Sequence, residues 1–373
     1  MNNLVKIFIC GDIVVKEPDK FRLAPKVKEL MESCDIRICN FEAPVENNYP
    51  PAVKSGPTLC QSPKTPAMLE DMGFNVILAG NNHIMDYGSK GCLDSLSLFK
   101  SSIIVGAGKA KDAYQVSVKE IDGKKIGFFC GCQYEFGVAG YGSDDVGVAW
   151  INTPEMPDII RRAKSEVDCL IILPHAGLED YDAPLPGWRT LYRKFIDWGA
   201  DAVIAGHTHC PQGNEIYKGS PIVYSMGNFY FDALSGSGHW WDGLAVVLTV
   251  DENISLSVYN TRFHQGLVDI NDADFIREHN NHLQHLVENE GAYYQYIDEM
   301  CTKAYPLCQY GLLRGMCGLS RGMDAKKKLR LFVHRLLNHY DYATYLNTVR
   351  CETHRWVIER YLNIKLYNNH GRE

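Results

Sequence analysis

The chain has 373 residues, of which 46% are apolar and 22% charged, and its formal net charge is -7 at pH 7. This composition is typical of a folded globular protein and excludes the disordered and fibrous classes. The negative net charge gives no support for binding to nucleic acid or to an anionic membrane surface, so we expect neither as a partner.

Five short apolar runs, taken in chain order, predict buried strands that each lead to a polar residue. The runs are KIFIC, IRIC, NVILAG, CLIILP and DAVIAG. The residues that follow them are Gly11-Asp12, Asn40-Phe41-Glu42, Asn81-Asn82-His83, His175 and His207-Thr208-His209. Runs of this length, rich in Val and Ile, are typical of strands covered on both faces. Since ligands of open α/β sheets bind at the carboxyl ends of strands, we expect these polar residues to share one edge.

Helix-spaced patterns between these runs predict βαβ crossovers and a largely parallel sheet. The patterns cover residues 25–33, 65–72, 91–100, 154–167 and 187–198. A second kind of strand is also indicated, because Asp122-Gly123 separates two strand-like runs as a hairpin turn would. Parallel strands with helices, combined with antiparallel strands, indicate two sheets packed face to face with helices outside.

The pattern changes after about residue 270, where the strand-like runs end. The segments KKKLRLFVHRLLNHY (326–340) and TVRCETHRWVIERYL (348–362) have apolar residues at helical spacing. We therefore expect a first domain over residues 1–268 and a helical C-terminal region over residues 269–373.

The cellular location is predicted from three features. The N-terminus MNNLVKIFIC runs directly into a strand and lacks the pattern of a signal peptide. No stretch reaches the roughly 18 to 20 apolar residues that span a bilayer. The 13 cysteines include no CxxC pair, which favours reduced thiols over a disulfide framework. We expect a cytoplasmic protein with no membrane partner, and the oligomeric state stays open.

The residues at the strand ends form a ligand set for a metal. Two carboxylates, an amide and several imidazoles suit Mn, Fe or Zn. Each residue alone also has a structural explanation, such as a turn aspartate for Asp12 or a satisfied core histidine for His175. Two divalent ions about 3.5 to 4 Å apart can activate a water for attack at phosphorus. A nearby imidazole that binds no metal can protonate the leaving group.

His83 suits the role of that acid, since Asn82 beside it would take the ligand position. Asp86 lies three residues further on and would either orient the His83 ring or cap the following helix. Both interpretations fit the spacing equally well.

These motifs together resemble the CapA family, named for bacterial capsule and poly-γ-glutamate synthesis proteins. The family is similar to the calcineurin-like metallophosphoesterases. The resemblance covers roughly residues 4 to 265 and rests on the motifs in their order. They are Gly11-Asp12, Asn40-Phe41-Glu42, Asn81 to Gly88, His175 with Glu179, Gly206 to His209, and Tyr224 to Phe229.

The resemblance implies a four-layer αββα sandwich with a helical C-terminal extension, and one or two divalent metal ions. The metal ligands that it implies are Asp12, Glu42, Asn82, His175, His207 and His209. His83 matches the acid of the family. The wider superfamily has Asp-x-His after the first strand, whereas this chain has Val14, and Glu42 replaces the usual bridging Asp. These departures leave both one-metal and two-metal sites open.

Four further polar residues are predicted to touch substrate or to support the ligands. They are Asn81, Lys54, Glu179 and Asn228. The loop with Lys54 follows Glu42, and the resemblance suggests that it reaches the cleft, where an ammonium group could meet an anionic substrate.

Three functions from different classes follow from these features. The first is a metal-dependent hydrolase, most simply a phosphoesterase, that acts on a small anionic substrate or an anionic polymer fragment. The second is a capsule or poly-γ-glutamate biosynthesis factor that cuts or holds an amide-linked polymer. The third is a binding protein with a degenerate site.

Overall fold

The apolar runs of the sequence form the central strands of two sheets. The computed structural model describes residues 4–317, except 235 and 237, together with 324–326, 328, 329, 333 and 342–367. The chain divides into two units. The first comprises Met1–Ala52, Thr58–Gln133 and Gly137–Glu288, and the second comprises Val53–Pro57, Tyr134–Phe136 and Asn289–Glu373.

The strands of the first unit follow the predicted order along the chain. They are β1 (Val5–Val14), β2 (Arg22–Leu23), β3 (Ile36–Phe41), β4 (Val76–Leu78), β5 (Ile103–Val105), β6 (Ala107–Lys109), β7 (Ser117–Ile121), β8 (Lys124–Cys132), β9 (Val146–Val148), β10 (Cys169–His175), β11 (Ala202–Ile204), β12 (Pro211–Tyr217), β13 (Ser220–Met226), β14 (Asn228–Phe231), β15 (Asp242–Val250), β16 (Ile254–His264) and β17 (Leu267–Ile270).

The helices of the first unit lie mostly between these strands. They are α1 (Pro25–Glu32), α2 (Thr65–Asp71), α3 (Gly88–Leu96), α4 (Ala110–Ala113), α5 (Met156–Lys164), α6 (Pro186–Trp198) and α7 (Asp274–Glu288). The described helices of the second unit are α8 (Glu290–Cys317), α9 (Tyr342–Arg350) and α10 (Glu352–Tyr367).

Both large sheets have a parallel centre. Over the described residues, the first sheet has nine strands in the order β2-β17-β16-β15-β1-β3-β4-β5, with β14 also paired to β1. The second has six, in the order β12-β13-β11-β10-β8-β7. The pairs from β1 through β3 and β4 to β5 are parallel, and so are those from β8 through β10 and β11 to β13. The carboxyl ends within each parallel set therefore lie at one edge of its sheet.

The packing confirms the predicted four-layer arrangement. Ile7 and Ile38 of the first sheet share an apolar core with Phe128 and Ile171 of the second, so the sheets face each other. The opposite face of the first sheet forms another core with buried residues of α1, α2 and α3. Helix α5 lies against β10, and α6 lies against β11 and β13.

Local structure follows the predicted signals closely, with one shift in a helix. Asp122 and Gly123 have φ values of 49° and 82°, as a tight hairpin turn between β7 and β8 requires. Helix α3 begins at Gly88 and ends at Leu96, whereas the pattern predicted 91–100. Beyond Leu96, Phe99 packs edge-on against Phe41, with ring centroids 5.1 Å apart.

Helix α7 packs within the first unit. Leu283 and Val287 are buried, and the carbonyl of Val287 accepts a hydrogen bond of 2.8 Å from Arg189. The segment 326–340, predicted as an amphipathic helix, lies largely outside the described residues. The described helices α8, α9 and α10 confirm the helical character of the C-terminal region. None of the helices described combines the length and apolar character needed to cross a bilayer.

Candidate metal centre

Asp12 lies where β1 changes its partners. β1 pairs with β15 through Cys10, and its pairing with β14 shifts register between Asp12 and Ile13, as at a β-bulge. Gly11 permits this crossing, because a Cβ there would lie 1.8 Å from the carbonyl oxygen of Gly227. The N–H of Asp12 donates to that same oxygen at 3.1 Å. The first predicted ligand is therefore fixed by backbone contacts.

The two predicted carboxylate ligands are fully buried near imidazoles. Asp12 and Glu42 are both 0% exposed. Among the described residues, Asp12, Glu42 and His209 offer ligand atoms that all lie within 4.8 Å of one another. Nε2 of His175 lies 3.6 Å from Oε1 of Glu42. In the described part of the chain, Oδ2 of Asp12 and both carboxylate oxygens of Glu42 have no hydrogen-bond partner.

Burial and neighbouring charges shift the pKa values of the groups in this cluster. Burial and the neighbouring carboxylate of Glu42 raise the pKa of Asp12 to about 7. Burial also raises the pKa of Glu42. Burial opposes the charged form of His209, but the carboxylates of Glu42 and Asp12 outweigh it, and the pKa of His209 rises to about 9. Without a cation, these carboxylates are therefore costly to ionise.

A strained turn directs His207 and His209 to the same side. Their φ values are 96° and 58°, in the left-handed region that non-glycine residues rarely adopt. Such strain costs about 1–3 kcal/mol per residue and is common at functional sites. In an extended strand the two side chains would point in opposite directions. Here their ring centroids lie 6.4 Å apart, and the ring of His207 is 4.7 Å from that of His175.

A series of amides holds His175. Asn81 accepts hydrogen bonds from the N–H groups of His83 and Ile84, and its own NH₂ donates to Oδ1 of Asn40 at 3.0 Å. The NH₂ of Asn40 then lies 2.7 Å from Asp12 Oδ1 and 3.2 Å from His175 Nδ1. On the other side of that ring, Nε2 lies 3.0 Å from Oδ1 of Asn82. Asn81 therefore contacts the predicted ligand Asp12 through Asn40.

Two further amides contact the other imidazoles. Oδ1 of Asn228 lies 3.0 Å from Nδ1 of His209, and its NH₂ donates to the carbonyl of Trp240 at 3.1 Å. Because that carbonyl can only accept, Oδ1 of Asn228 must face the ring and accept from Nδ1–H. Nε2 of Gln133 lies 2.9 Å from Nε2 of His207.

The predicted acid is paired with a carboxylate. Nδ1 of His83 lies 2.8 Å from Oδ2 of Asp86, which also accepts a hydrogen bond of 2.6 Å from the N–H of Leu59. Both side chains are buried. Of the two interpretations of Asp86, the geometry favours the one in which it orients the ring.

Other predicted residues lie at different places. Glu179 is half exposed, and its Oε1 is 3.9 Å from Nε2 of His207. Lys54 lies in Val53–Pro57, which belongs to the second unit. Val14 is fully buried in the apolar core beneath the helices. The predicted contacts of Glu179 and Lys54 with substrate or with the ligands stay predictions.

Asn40 and Gln133 touch the centre but were not among the predicted site residues. Asn40 belongs to the Asn40-Phe41-Glu42 motif, which the sequence analysis places at the end of a predicted strand. Gln133 follows β8, and that strand was recognised only as half of a hairpin. β8 also runs parallel to β10, with Cys132 beside His175. The strand-end rule applied to β8 would have found Gln133.

The strand order, the facing sheets and the ligand-rich edge define a four-layer αββα sandwich with a candidate metal site. The chain belongs to the family described as bacterial capsule synthesis protein PGA_cap, whose model matches residues 6–233. The family membership confirms the resemblance inferred from the motifs.

Two curated relatives and one solved structure illustrate the similarity. The "PGA biosynthesis protein CapA" of Bacillus subtilis is 35% identical over 224 residues, which are 55% of this chain and 56% of the relative. The "Capsule biosynthesis protein CapA" of Bacillus anthracis is 30% identical over 229 residues, 55% and 53% of the two chains. This chain thus spans about half the length of these relatives. A novel phosphatase from Mycoplasma pneumoniae is 16% identical, with a TM-score of 0.44 over 70% of this chain and 94% of that one.

Proposed function

We propose that the chain is a metal-dependent hydrolase, most simply a phosphoesterase, that acts on an anionic substrate. The observation that supports it best is the pair of buried carboxylates, Asp12 and Glu42, of whose four oxygens three (Oδ2 of Asp12 and both of Glu42) lack donors within the described residues. Buried polar atoms are nearly always paired, and buried charges are matched by other charges or by metals. The donor set therefore fits one or two divalent ions, of which Mn, Fe and Zn suit its oxygen and imidazole ligands.

The residues that would hold the metal are those gathered at the strand ends. They are Asp12, Glu42, Asn82, His175, His207 and His209. A divalent ion bound there would lower the pKa of a water and supply positive charge opposite the reacting oxygens. Asn40, Asn81 and Asn228 fix the orientation of the ligands through the hydrogen bonds described above.

His83 would donate a proton to the leaving oxygen in this proposal. Asp86 accepts from Nδ1 of the ring, so Nε2 is the nitrogen that would donate to substrate. Its burial keeps the ring in a single orientation. Lys54 and Glu179 are further candidates for contact with substrate.

The test combines metal content with a screen of phosphomonoesters and phosphodiesters. The full chain, reconstituted with Mn²⁺, Zn²⁺ or Fe²⁺, should retain metal after desalting and hydrolyse at least one substrate. His207→Ala should lose metal and activity, whereas His83→Ala should keep metal and lose activity. His264→Ala is the matched control, because that histidine is exposed at the end of β16. Unchanged rates in both site variants would refute the proposed site.

We also propose a second function, a role in assembling a capsule or a poly-γ-glutamate-like polymer. Membership of the capsule synthesis family and the names of the two Bacillus relatives favour it. In that role the same centre would cut or hold an anionic, amide-linked polymer.

Two measurements separate the two functions. Hydrolysis of γ-glutamyl amides by the metal-loaded chain, without turnover of phosphoesters, would favour the assembly role. Genes for a polymer ligase and an exporter beside this gene would also favour the assembly role. Turnover of phosphoesters alone, in an unrelated gene neighbourhood, would favour the phosphoesterase.

A further inference from the structure

We infer that the stacked rings of His239 and His279 form a pH-sensitive contact between helix α7 and the turn before β15, and that this contact is strongest when the pair carries one proton. His279 lies on α7, and His239 lies on the short 3₁₀ helix Gly238–Trp241. Their ring centroids are 3.9 Å apart, and their planes differ by 11°. Neither residue belongs to the proposed metal centre, so the inference does not depend on the function proposed above.

The ring of His239 faces a carboxylate. Its Nδ1 lies 3.2 Å from Oδ2 of Asp242, and because a carboxylate can only accept, Nδ1 donates this hydrogen bond. Arg262 on β16 donates to the other oxygen of Asp242 at 2.9 Å. The hydrogen bond with Asp242 raises the pKa of His239, although burial opposes the charged form. His239 is therefore the ring that takes up the first proton.

The ring of His279 has a different environment. Its Nε2 is buried and has no hydrogen-bond partner within the described residues. Oδ2 of Asp182 lies 3.7 Å from this nitrogen, which is too far for a hydrogen bond. Burial and the neighbouring charge of His239 lower the pKa of His279 and outweigh the attraction of Asp182. The neutral form of His279 is therefore favoured while His239 carries its proton.

The surrounding charges favour one proton on the pair rather than two. The charged and titratable groups that face the two rings are Asp182, Asp242, Arg262 and His282. The two carboxylates attract a proton, whereas Arg262 and a protonated His282 oppose further positive charge. A second proton would place two like charges on rings whose centroids are only 3.9 Å apart.

The turn that carries His239 also borders the metal centre. Trp240, the next residue, is buried, and its ring lies 4.8 Å from that of His209. The carbonyl of Trp240 accepts a hydrogen bond from Asn228 at 3.1 Å. The stacked pair therefore connects α7 to a turn whose next residue packs against a predicted ligand.

Stability should depend on pH in both directions around the ordinary pKa of histidine. In the unfolded chain both rings titrate near about pH 6.5. The folded chain protonates His239 above this pH, so the fold gains stability as the pH falls towards it. The folded chain protonates His279 only below this pH, so stability is lost as the pH falls further. The contribution of the pair is therefore greatest between the two pKa values.

The first test is an NMR titration of the full chain labelled with ¹⁵N-histidine. A chelator is present, so that loss of metal at low pH does not contribute. Each signal is assigned by its absence in His239→Phe or His279→Phe, which keep a ring but remove its charge. We expect His239 to titrate above about pH 6.5 and His279 below it. In His239→Phe the pKa of His279 should rise, because the neighbouring charge is gone. Equal pKa values of the two rings, or an unchanged His279 in His239→Phe, would overturn the inference.

The second test compares urea unfolding of the unmodified chain and His279→Phe between pH 8 and 5. Below about pH 6.5, the unfolding equilibrium constant of the unmodified chain should rise relative to that of the variant, by at most about tenfold per pH unit, the limit for one proton. His285→Phe is the matched control, because it makes the same substitution at an exposed position of α7 and should leave the pH dependence unchanged. If His279→Phe does not fold, His279→Gln replaces it in both tests. The same pH dependence in the unmodified chain and the His279 variant would contradict the proposed contact.

Discussion

At the scale of single residues, amides rather than charged groups support the imidazoles of the centre. Asn40, Gln133 and Asn228 each contact one histidine. His83, by contrast, is paired directly with the carboxylate of Asp86. This difference separates the predicted acid from the predicted ligands. A carboxylate can only accept, so it keeps a proton on the ring nitrogen that faces it, whereas a metal ligand must present a lone pair.

The pairing of His83 with Asp86 predicts a kinetic effect without a loss of metal. His83→Gln removes the proposed acid and should lower kcat about 100-fold, a typical value for general acid catalysis. Asp86→Asn replaces the charged acceptor by a neutral amide and weakens the hydrogen bond that orients the ring, so kcat should fall about tenfold. Metal content should match the unmodified chain in both. Loss of metal in either variant would contradict the assignment of His83 as a residue that does not bind it.

The paired carboxylates predict opposite effects on stability and on metal binding. Glu42→Gln replaces an acceptor lacking donors with an amide that can donate to Asp12, so the metal-free protein should become more stable by about 1–2 kcal/mol. The same variant should lose metal, because an ion would have one anionic ligand fewer. Urea unfolding at pH 8 in the presence of chelator measures the first effect, and metal analysis measures the second.

Glu166→Gln, at an exposed position, is the control and should change neither quantity. If the metal-free Glu42→Gln variant is less stable than the unmodified chain, the carboxylate of Glu42 stabilises the fold itself, and the prediction is wrong.

At the scale of elements, the sequence predicts the strands and their ends well. Each of the five runs is a strand, and Asp12, Glu42, Asn82, His175 and His209 lie at or just beyond the ends. Gln133 was missed because the sequence pattern predicted β8 only as half of a hairpin, whereas β8 also pairs in parallel with β10. The left-handed φ of His207 was not predicted either, because the apolar pattern of a strand carries no information about the backbone angles of the turn that follows it.

A single carboxylate connects helix α2 to the start of β5. Glu70 accepts hydrogen bonds from the N–H groups of Lys100, Ser101 and Ser102 at 3.0, 2.7 and 2.8 Å. Slight burial opposes its ionisation, but these backbone hydrogen bonds dominate and lower its pKa to about 2. Since the folded-state pKa lies below that of the unfolded chain, this stabilisation is complete above about pH 4.5 and is lost as the pH falls towards 2.

Glu70→Ala should therefore lower the free energy of unfolding by about 1–2 kcal/mol at pH 7. The difference from the unmodified chain should shrink between about pH 4.5 and 2, because the protonated carboxyl accepts these hydrogen bonds less well. Denaturant unfolding across this range measures both effects. Glu32→Ala, exposed at the end of α1, should have no such pH dependence. A difference that stays constant with pH would exclude the carboxylate as its source.

At the scale of the whole molecule, the predicted boundary at residue 268 differs in position from the division at Glu288. Every predicted site residue except Lys54 lies in the first unit, and so does α7. The family model ends before this helix, at residue 233. The stabilities of two truncated chains, one with α7 and one without it, would show whether this helix belongs to the folding unit of the metal centre.

A chain ending at Glu288 should fold and bind metal within about threefold of the full chain, a difference of less than 1 kcal/mol. A chain ending at Val268 removes the buried side chains of Leu283, Leu286 and Val287, each of which contributes about 1.5–3 kcal/mol by its burial. It should therefore unfold at lower urea concentration or aggregate. Equal stability of the two chains would support the boundary at 268 instead. Weaker metal binding by the chain ending at Glu288 would show that the second unit contributes to the centre.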